Sequence, residues 1–268
     1  MCRWLAYAGP SIFLDSLLTR PENSLTRQSL SAHESAHVVN ADGFGIGWYG
    51  DKGFPGLYKD ILPAWNDANL RNIAEQIKSP LFFGHVRATT GTAVNRTNCH
   101  PFRFGKWLFM HNGEIGGFAK VRRALAFAVA PELFTSIQGT TDSEIFFHLL
   151  LTHGLQEDPE YALRQAIRII ERAQDEAGVD EPFNMTVAIS DGDYIWAMRH
   201  ASHGRVPSLY YGVGVKPHDL SDEITVETGT ATLILSEPLD ALRQWTAVEP
   251  DHLVLAGDGA VSVTPFAL

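Results

Sequence analysis

The sequence predicts an α+β fold, with strands and helices gathered in blocks. Short apolar runs bounded by Gly, Pro and polar residues fill both ends of the chain. The two segments of clearest helical character lie together in the stretch 142–177. Strand and helix do not alternate strictly, which argues against a doubly wound parallel sheet. With 268 residues, 45% of them hydrophobic, the chain is long enough to bury a full core.

Taken in order, CRWLAYA reads as a buried strand and IFLDSLL as a short apolar segment. A polar stretch, TRPENSLTRQSLSAHESAH, follows, and then GFGIGWY as a glycine-rich strand. Between Asp67 and Lys78, Leu70, Ile73, Ala74 and Ile77 recur at helical spacing. LFFGHVRA and WLFMHNG are strands that end in polar residues, and Lys120 to Ala128 is helical. DSEIFFHLLLTHG starts a helix with Asp142 as its N-cap and stops at Gly154. Pro159 to Ala177 is the plainest helix, with Ala162, Ala166, Ile169, Ile170 and Ala173 on one face. FNMTVAIS, YIWAMRHA, SLYYGVG, ATLILSE, HLVLAGDG and VSVTPF complete the strands. No repeat, low-complexity tract or linker divides the chain, so residues 2–268 are expected to form one domain.

The net charge of -10, and the absence of any run of Lys and Arg, argue against a nucleic-acid surface. No apolar stretch approaches the length of a membrane span, and the start lacks the pattern of a signal peptide. Two cysteines, Cys2 and Cys99, do not make a disulfide framework. A reducing cytoplasm is the simplest expected location, and it would keep Cys2 usable as a thiol.

His33-Glu34-Ser35-Ala36-His37 matches the H-E-x-x-H zinc pattern. Its flanks are polar and are soon stopped by Asn40, Asp42 and Gly43, so they offer no apolar stripe for a buried metal helix. No third ligand follows at metzincin spacing. The expectation is a solvated loop or short helix, and no metal.

Other polar clusters sit at the ends of apolar segments, where functional loops are mounted. They are Cys2, the segment His85 to Gly91, His111-Asn112-Gly113-Glu114, and Thr140 to Glu144. Each has a bland reading. Asn-Gly is a hairpin signal, Asp142 a helix cap, Arg87 an ion-pair partner, and a lone cysteine a small buried hydrophobe.

Together and in this order the clusters resemble the class II glutamine amidotransferases, which are N-terminal nucleophile hydrolases. ADGFGIGWY and Ser236-Glu237-Pro238-Leu239-Asp240 look like the stand-alone members of that family. The resemblance implies a four-layer αββα sandwich and cleavage of glutamine or another γ-glutamyl amide. It also explains why a thiol lies at position 2. Removal of Met1 would leave Cys2 with both a thiol and a free α-amine, and that amine can serve as the thiol's base. The resemblance further implies that Asn112 and Gly113 stabilise the oxyanion. Arg87 would grip the substrate carboxylate, Thr90 would add a hydroxyl contact, and Asp142 would bind the α-ammonium. Ala88 departs from the family, where an aromatic residue often follows the loop arginine. His100 matches a family His-Pro and is expected to support the site, whereas Cys99 is expected to be buried and inert.

No cofactor is implied, and the expected ligand is a small molecule. One enzyme reading is direct hydrolysis of a γ-glutamyl compound, as by relatives in ergothioneine synthesis and glutathione breakdown. Another is a glutaminase subunit serving a synthase or peptidase partner. A third is a non-catalytic protein that keeps the fold.

Overall fold

The computed structural model describes residues 2–34, 38–89, 91–215, 231–241 and 245–268. Among them the strands, in chain order, begin with β1 (Arg3–Phe13), β2 (Phe44–Trp48), β3 (Gly56–Asp60), β4 (Lys78–Val86), β5 (Phe102–Phe104) and β6 (Trp107–Ile115). They continue with β7 (Phe183–Ser190), β8 (Ile195–Ala201), β9 (Tyr210–Val215), β10 (Ala231–Leu235), β11 (Thr246–Ala247), β12 (His252–Gly257) and β13 (Ala260–Pro265). The α-helices are α1 (Asp15–Leu18), α2 (Leu25–Leu30), α3 (Ala68–Ala74), α4 (Phe118–Ala128), α5 (Pro131–Phe134), α6 (Asp142–Thr152) and α7 (Pro159–Glu176).

Two antiparallel sheets form the centre. One has the order β11-β9-β10-β1-β4-β2-β3, the other β13-β12-β8-β7-β6-β5. Strand alternation distributes the apolar side chains over three cores. On β1, Trp4 and Ala6 face the other sheet, while Leu5 and Tyr7 face outward. The inner core joins them to Phe83, Leu108, Met110, Ala188 and Ile234. The outer face of the first sheet packs on Leu17, Leu25 and Leu70 from α1, α2 and α3. The outer face of the second packs on α4, α6 and α7, through Leu125, Phe146 and Ile167 among others. The result is the expected αββα layering.

Three local expectations are corrected. CRWLAYA and part of IFLDSLL belong to a single strand, which crosses Gly9-Pro10 with a register shift against β4 between Ala8 and Ile12. The N-cap of α6 is Thr141, whose hydroxyl accepts from the Glu144 amide, and Asp142 is the first helical residue. On α7 the buried stripe is rotated toward Leu163 and Ile167, and Ile169 and Ala173 only flank the core.

Candidate active site

The residue after Cys2 begins a strand that is bonded along both edges, by β4 and β10. Its start is also clamped by the segment that follows β10. The Trp4 amide donates to Ser236 Oγ at 2.9 Å, and the Ser236 amide donates to the Trp4 carbonyl at 3.0 Å. The buried Arg3 guanidinium donates to the Ser236 carbonyl at 3.2 Å and lies 3.9 Å from the Glu237 carboxylate. Cys2, half-buried, is thereby held at the mouth of the inter-sheet space. Its Sγ accepts from the Ala88 amide at 3.4 Å and donates to the Ala88 carbonyl at 3.5 Å. Burial pushes the Cys2 thiol up, opposed by the Ala88 bond and by the Arg87 and Arg3 charges.

Arg87 follows β4 directly. Pairing of Phe44 with Val86 brings residues 42 and 43 beside it. The Arg87 amide donates to the Gly43 carbonyl at 2.8 Å, and the Asp42 amide to the Arg87 carbonyl at 3.0 Å. The guanidinium donates to Thr92 Oγ1 at 2.5 Å, Thr89 Oγ1 at 3.3 Å and the Asp42 carbonyl at 3.4 Å. Asp42 also accepts the Thr89 amide on Oδ2 at 2.8 Å. The side chain is 3% exposed and has no ion-pair partner among the described residues. A buried guanidinium held only by neutral oxygens can still accept a carboxylate. Thr90 lies outside the described residues.

Asn112 lies on the inner face of β6 and is 1% exposed, yet neither its Nδ2 nor its Oδ1 has a hydrogen-bond partner among the described residues. It pairs in register with Thr186, whose hydroxyl accepts Trp4 Nε1 at 3.2 Å, so this part of β6 is tied across the sandwich to β1. Gly113 has φ +148°, and a Cβ there would strike the Asn184 carbonyl. Only glycine fits that close approach. The Asp142 carboxylate accepts the Ile115 amide on Oδ2 at 2.9 Å, and on Oδ1 the Ser143 amide at 2.7 Å. As the first residue of α6 it also meets the positive end of the helix dipole.

The loops are joined below this level. Asn98 accepts the Thr140 amide at 2.9 Å and donates to the Ala93 carbonyl at 2.9 Å, linking the 89–98 loop to the start of α6. Glu144 accepts the amides of Gln138 and Gly139 at 2.8 and 2.6 Å. His85, His100 and His111 are buried beside these segments. Burial pushes His85 down to about 3 and lowers His100 and His111 as well, so all three are neutral near pH 7. The rings of His85 and His100 are 4.4 Å apart, consistent with a packing role for His100.

Cys2, Arg87, Ala88, Gly113, Asp142 and Ser143 line one cavity of about 320 Å³. A larger hollow of about 640 Å³ lies between α2 and the 237–241 segment and contains none of these six. Sequence reasoning singled out the segments that hold Thr89 and Ser143 without giving either a role, and it gave none to Asp42, Thr92 or Asn98. The run Ala88-Thr89-Thr90-Gly91-Thr92 was a partial signal, because closely spaced hydroxyls can hold an adjacent guanidinium. Cys99 is buried, as expected, with its thiol also pushed up by burial.

The H-E-x-x-H segment serves a different purpose in its described part. The His33 and Glu34 amides donate to the buried Glu237 carboxylate at 3.1 and 3.0 Å, and Tyr210 donates to Glu34 at 2.8 Å. Ser35, Ala36 and His37 lie outside the described residues. Among the described residues no His, Cys, Asp and Glu cluster could hold a metal ion, and no helix is long and apolar enough to cross a membrane.

The family model described as "Glutamine amidotransferases class-II" matches residues 20–267. The chain is 35% identical to the probable glutamine amidotransferase DUG3 of Saccharomyces cerevisiae, over 99% of this chain and 84% of that protein. It is 27% identical to the gamma-glutamyl-hercynylcysteine sulfoxide hydrolase of Mycolicibacterium smegmatis, over 99% of this chain and 100% of that protein. Among solved structures, a glutamine aminotransferase class-II domain protein from Silicibacter pomeroyi superposes with a TM-score of 0.77 at 33% identity, covering 99% of both chains.

Proposed function

The chain belongs to the class II glutamine amidotransferases, and from that premise we propose that it hydrolyses a γ-glutamyl amide through a thioester on Cys2. The observation that carries the reading is the single cavity shared by Cys2, Arg87, Gly113 and Asp142. It offers a nucleophile, a buried cation and a carboxylate to one small molecule.

Removal of Met1 frees the Cys2 α-amine. That amine has an ordinary pKa of about 7.7–8.0 and takes the thiol proton as Sγ attacks the γ-carbonyl. A base this close is needed, because burial holds the resting thiol protonated and its described hydrogen bonds go only to the Ala88 backbone. The tetrahedral oxyanion is met by Asn112 Nδ2 and the Gly113 amide. The unpartnered Asn112 carboxamide supports this role, since it requires no bond to be broken before the charge develops. The α-ammonium returns its proton to the departing amine as the carbon–nitrogen bond breaks, leaving the thioester. Water then attacks the thioester, giving its proton to the α-amine, and glutamate leaves as Sγ is reprotonated. Arg87 binds the substrate α-carboxylate and Asp142 its α-ammonium, which hold the γ-carbon over Sγ. Thr90 is proposed to add a hydroxyl contact to the same head group.

The preferred leaving group is larger than ammonia. Ala88 leaves space beside Sγ, and the similarity to a protein named as a γ-glutamyl hydrolase extends over both full lengths. The test combines intact mass, hydrolysis of γ-glutamyl amides and labelling by a diazo-ketone analogue of norleucine. Expected are a protein lacking Met1, a label on Cys2, and no turnover by Cys2→Ala at unchanged melting temperature. A label on Cys99, or turnover by Cys2→Ala, sinks the assignment.

A further inference from the structure

At the head of α6 the carboxylate of Asp142 is the end of a chain of buried polar groups. Ser143 Oγ lies 3.2 Å from Asp142 Oδ1, and His111 Nδ1 lies 2.8 Å from the same Ser143 Oγ. We propose that His111 and Ser143 are positioning residues that set the rotation of the Asp142 carboxylate, and so select γ-glutamyl substrates carrying a free α-ammonium. The proposal rests on the reading of Asp142 given above.

A serine hydroxyl has one proton and rotates freely unless a neighbour fixes it. In this relay the serine proton goes to Asp142 and the imidazole proton sits on Nδ1, the tautomer that leaves no ring N–H unpaired, since His111 Nε2 has no hydrogen-bond partner among the described residues. The imidazole is a suitable fixed donor. It is 1% exposed, lies on the α6-facing side of β6, and meets Phe146 in a T-shaped contact at a centroid distance of 6.0 Å. Its burial keeps it neutral, so it orients the hydroxyl without placing a second positive charge beside the ammonium site.

The count of acceptor sites gives the selectivity. An ionised carboxylate offers about four lone-pair positions. The Ile115 amide, the Ser143 amide and the Ser143 hydroxyl take three of them. One remains for the cavity, on a carboxylate that can no longer turn to present another. A substrate N–H donor in that single direction is rewarded, and a substrate without one leaves a desolvated charge unpaired.

The test compares γ-glutamyl-p-nitroanilide with glutaryl-p-nitroanilide, which lacks only the α-amine, on enzyme with a free Cys2. The readout is kcat/KM for each and their ratio. Asp142→Asn is expected to collapse the ratio. Ser143→Ala and His111→Phe are expected to lower kcat/KM for the γ-glutamyl substrate about tenfold and for the glutaryl substrate by less than about twofold, the scale of one hydrogen bond to a charged group. Ser143→Thr, which keeps the hydroxyl, is expected to preserve the ratio. A Ser143→Ala protein that slows equally on both substrates, or keeps the parent ratio while Asp142→Asn loses it, overturns the relay and leaves the Asp142 reading standing. A parent ratio retained by Asp142→Asn removes both.

Discussion

A buried carboxamide without a partner gives up about 1–3 kcal/mol relative to one that is satisfied. Asn112 carries that cost on both of its polar atoms, neither of which has a partner among the described residues, in a strand bonded along both edges. A protein under selection for stability alone would place an apolar side chain there, as it does at neighbouring Met110 on the same face. Asn112→Ala therefore separates catalysis from folding. The variant is expected to lose about 10²–10³-fold in kcat, the usual effect of deleting one oxyanion donor, with KM changed little. Its melting temperature is expected to match or exceed the parent's, because the removed amide has no partner to lose. Steady-state kinetics and a thermal melt on the same preparation check both halves. A large fall in melting temperature with kcat intact would assign Asn112 to the fold.

The elements were legible to different degrees, for physical reasons. β1, β4, β6, β7 and β10 are bonded on both edges and buried on both faces, so they read as continuous apolar runs. β3 and β5 lie at sheet edges, carry Lys59, Asp60 and Arg103, and resemble loops in the sequence. The motif residues at strand ends were visible because their types suit the chemistry. Asp42 and Asn98 were not, since they reach the site only through sheet register and loop packing. The Phe44–Val86 pairing, set by core packing 42 residues apart in sequence, is what carries Asp42 to Arg87. One element also carries a pH dependence. His200, near the end of β8, lies 3.1 Å from Glu171 on α7 and 2.6 Å from Asp251 before β12. Burial alone would lower its pKa, but the bonds to the two carboxylates prevail and raise it. A group whose folded pKa is raised stabilises fully below its unfolded pKa, and that contribution fades as pH climbs through the folded value. The stability advantage of the parent over His200→Gln is accordingly expected to be full below the unfolded histidine pKa of about 6.5 and to shrink as pH climbs above it through the raised folded value, read by urea melts at each pH. A constant gap would show that the carboxylates do not hold the imidazolium.

At the scale of the whole molecule, the two sheets divide the work. The cavity is lined by Cys2 and Arg87 at strand ends of the first sheet, by Gly113 on the second, and by Asp142 at the head of α6; Asn112, the proposed oxyanion donor, precedes Gly113 on the inner face of β6. On the proposed reading, substrate choice depends on what the shared cavity admits past the γ-carbon. With processed enzyme and no added protein, kcat/KM for γ-glutamyl amides with bulky leaving groups is expected to exceed that for glutamine by at least about tenfold, one pKa-unit equivalent in barrier. Weak turnover of every amide, rising when a co-purifying protein is returned, would favour an ammonia-delivering subunit instead. The pinned start of β1 also bears on how the protein is prepared. From Arg3 onward the chain is fixed by β4, β10 and Ser236, and Cys2 is placed by that anchoring. If the α-amine is the base, any residue left attached ahead of Cys2 locks that base into a peptide bond. A tag that stays fused ahead of Cys2 would yield a chain that folds, melts and purifies normally while remaining chemically silent.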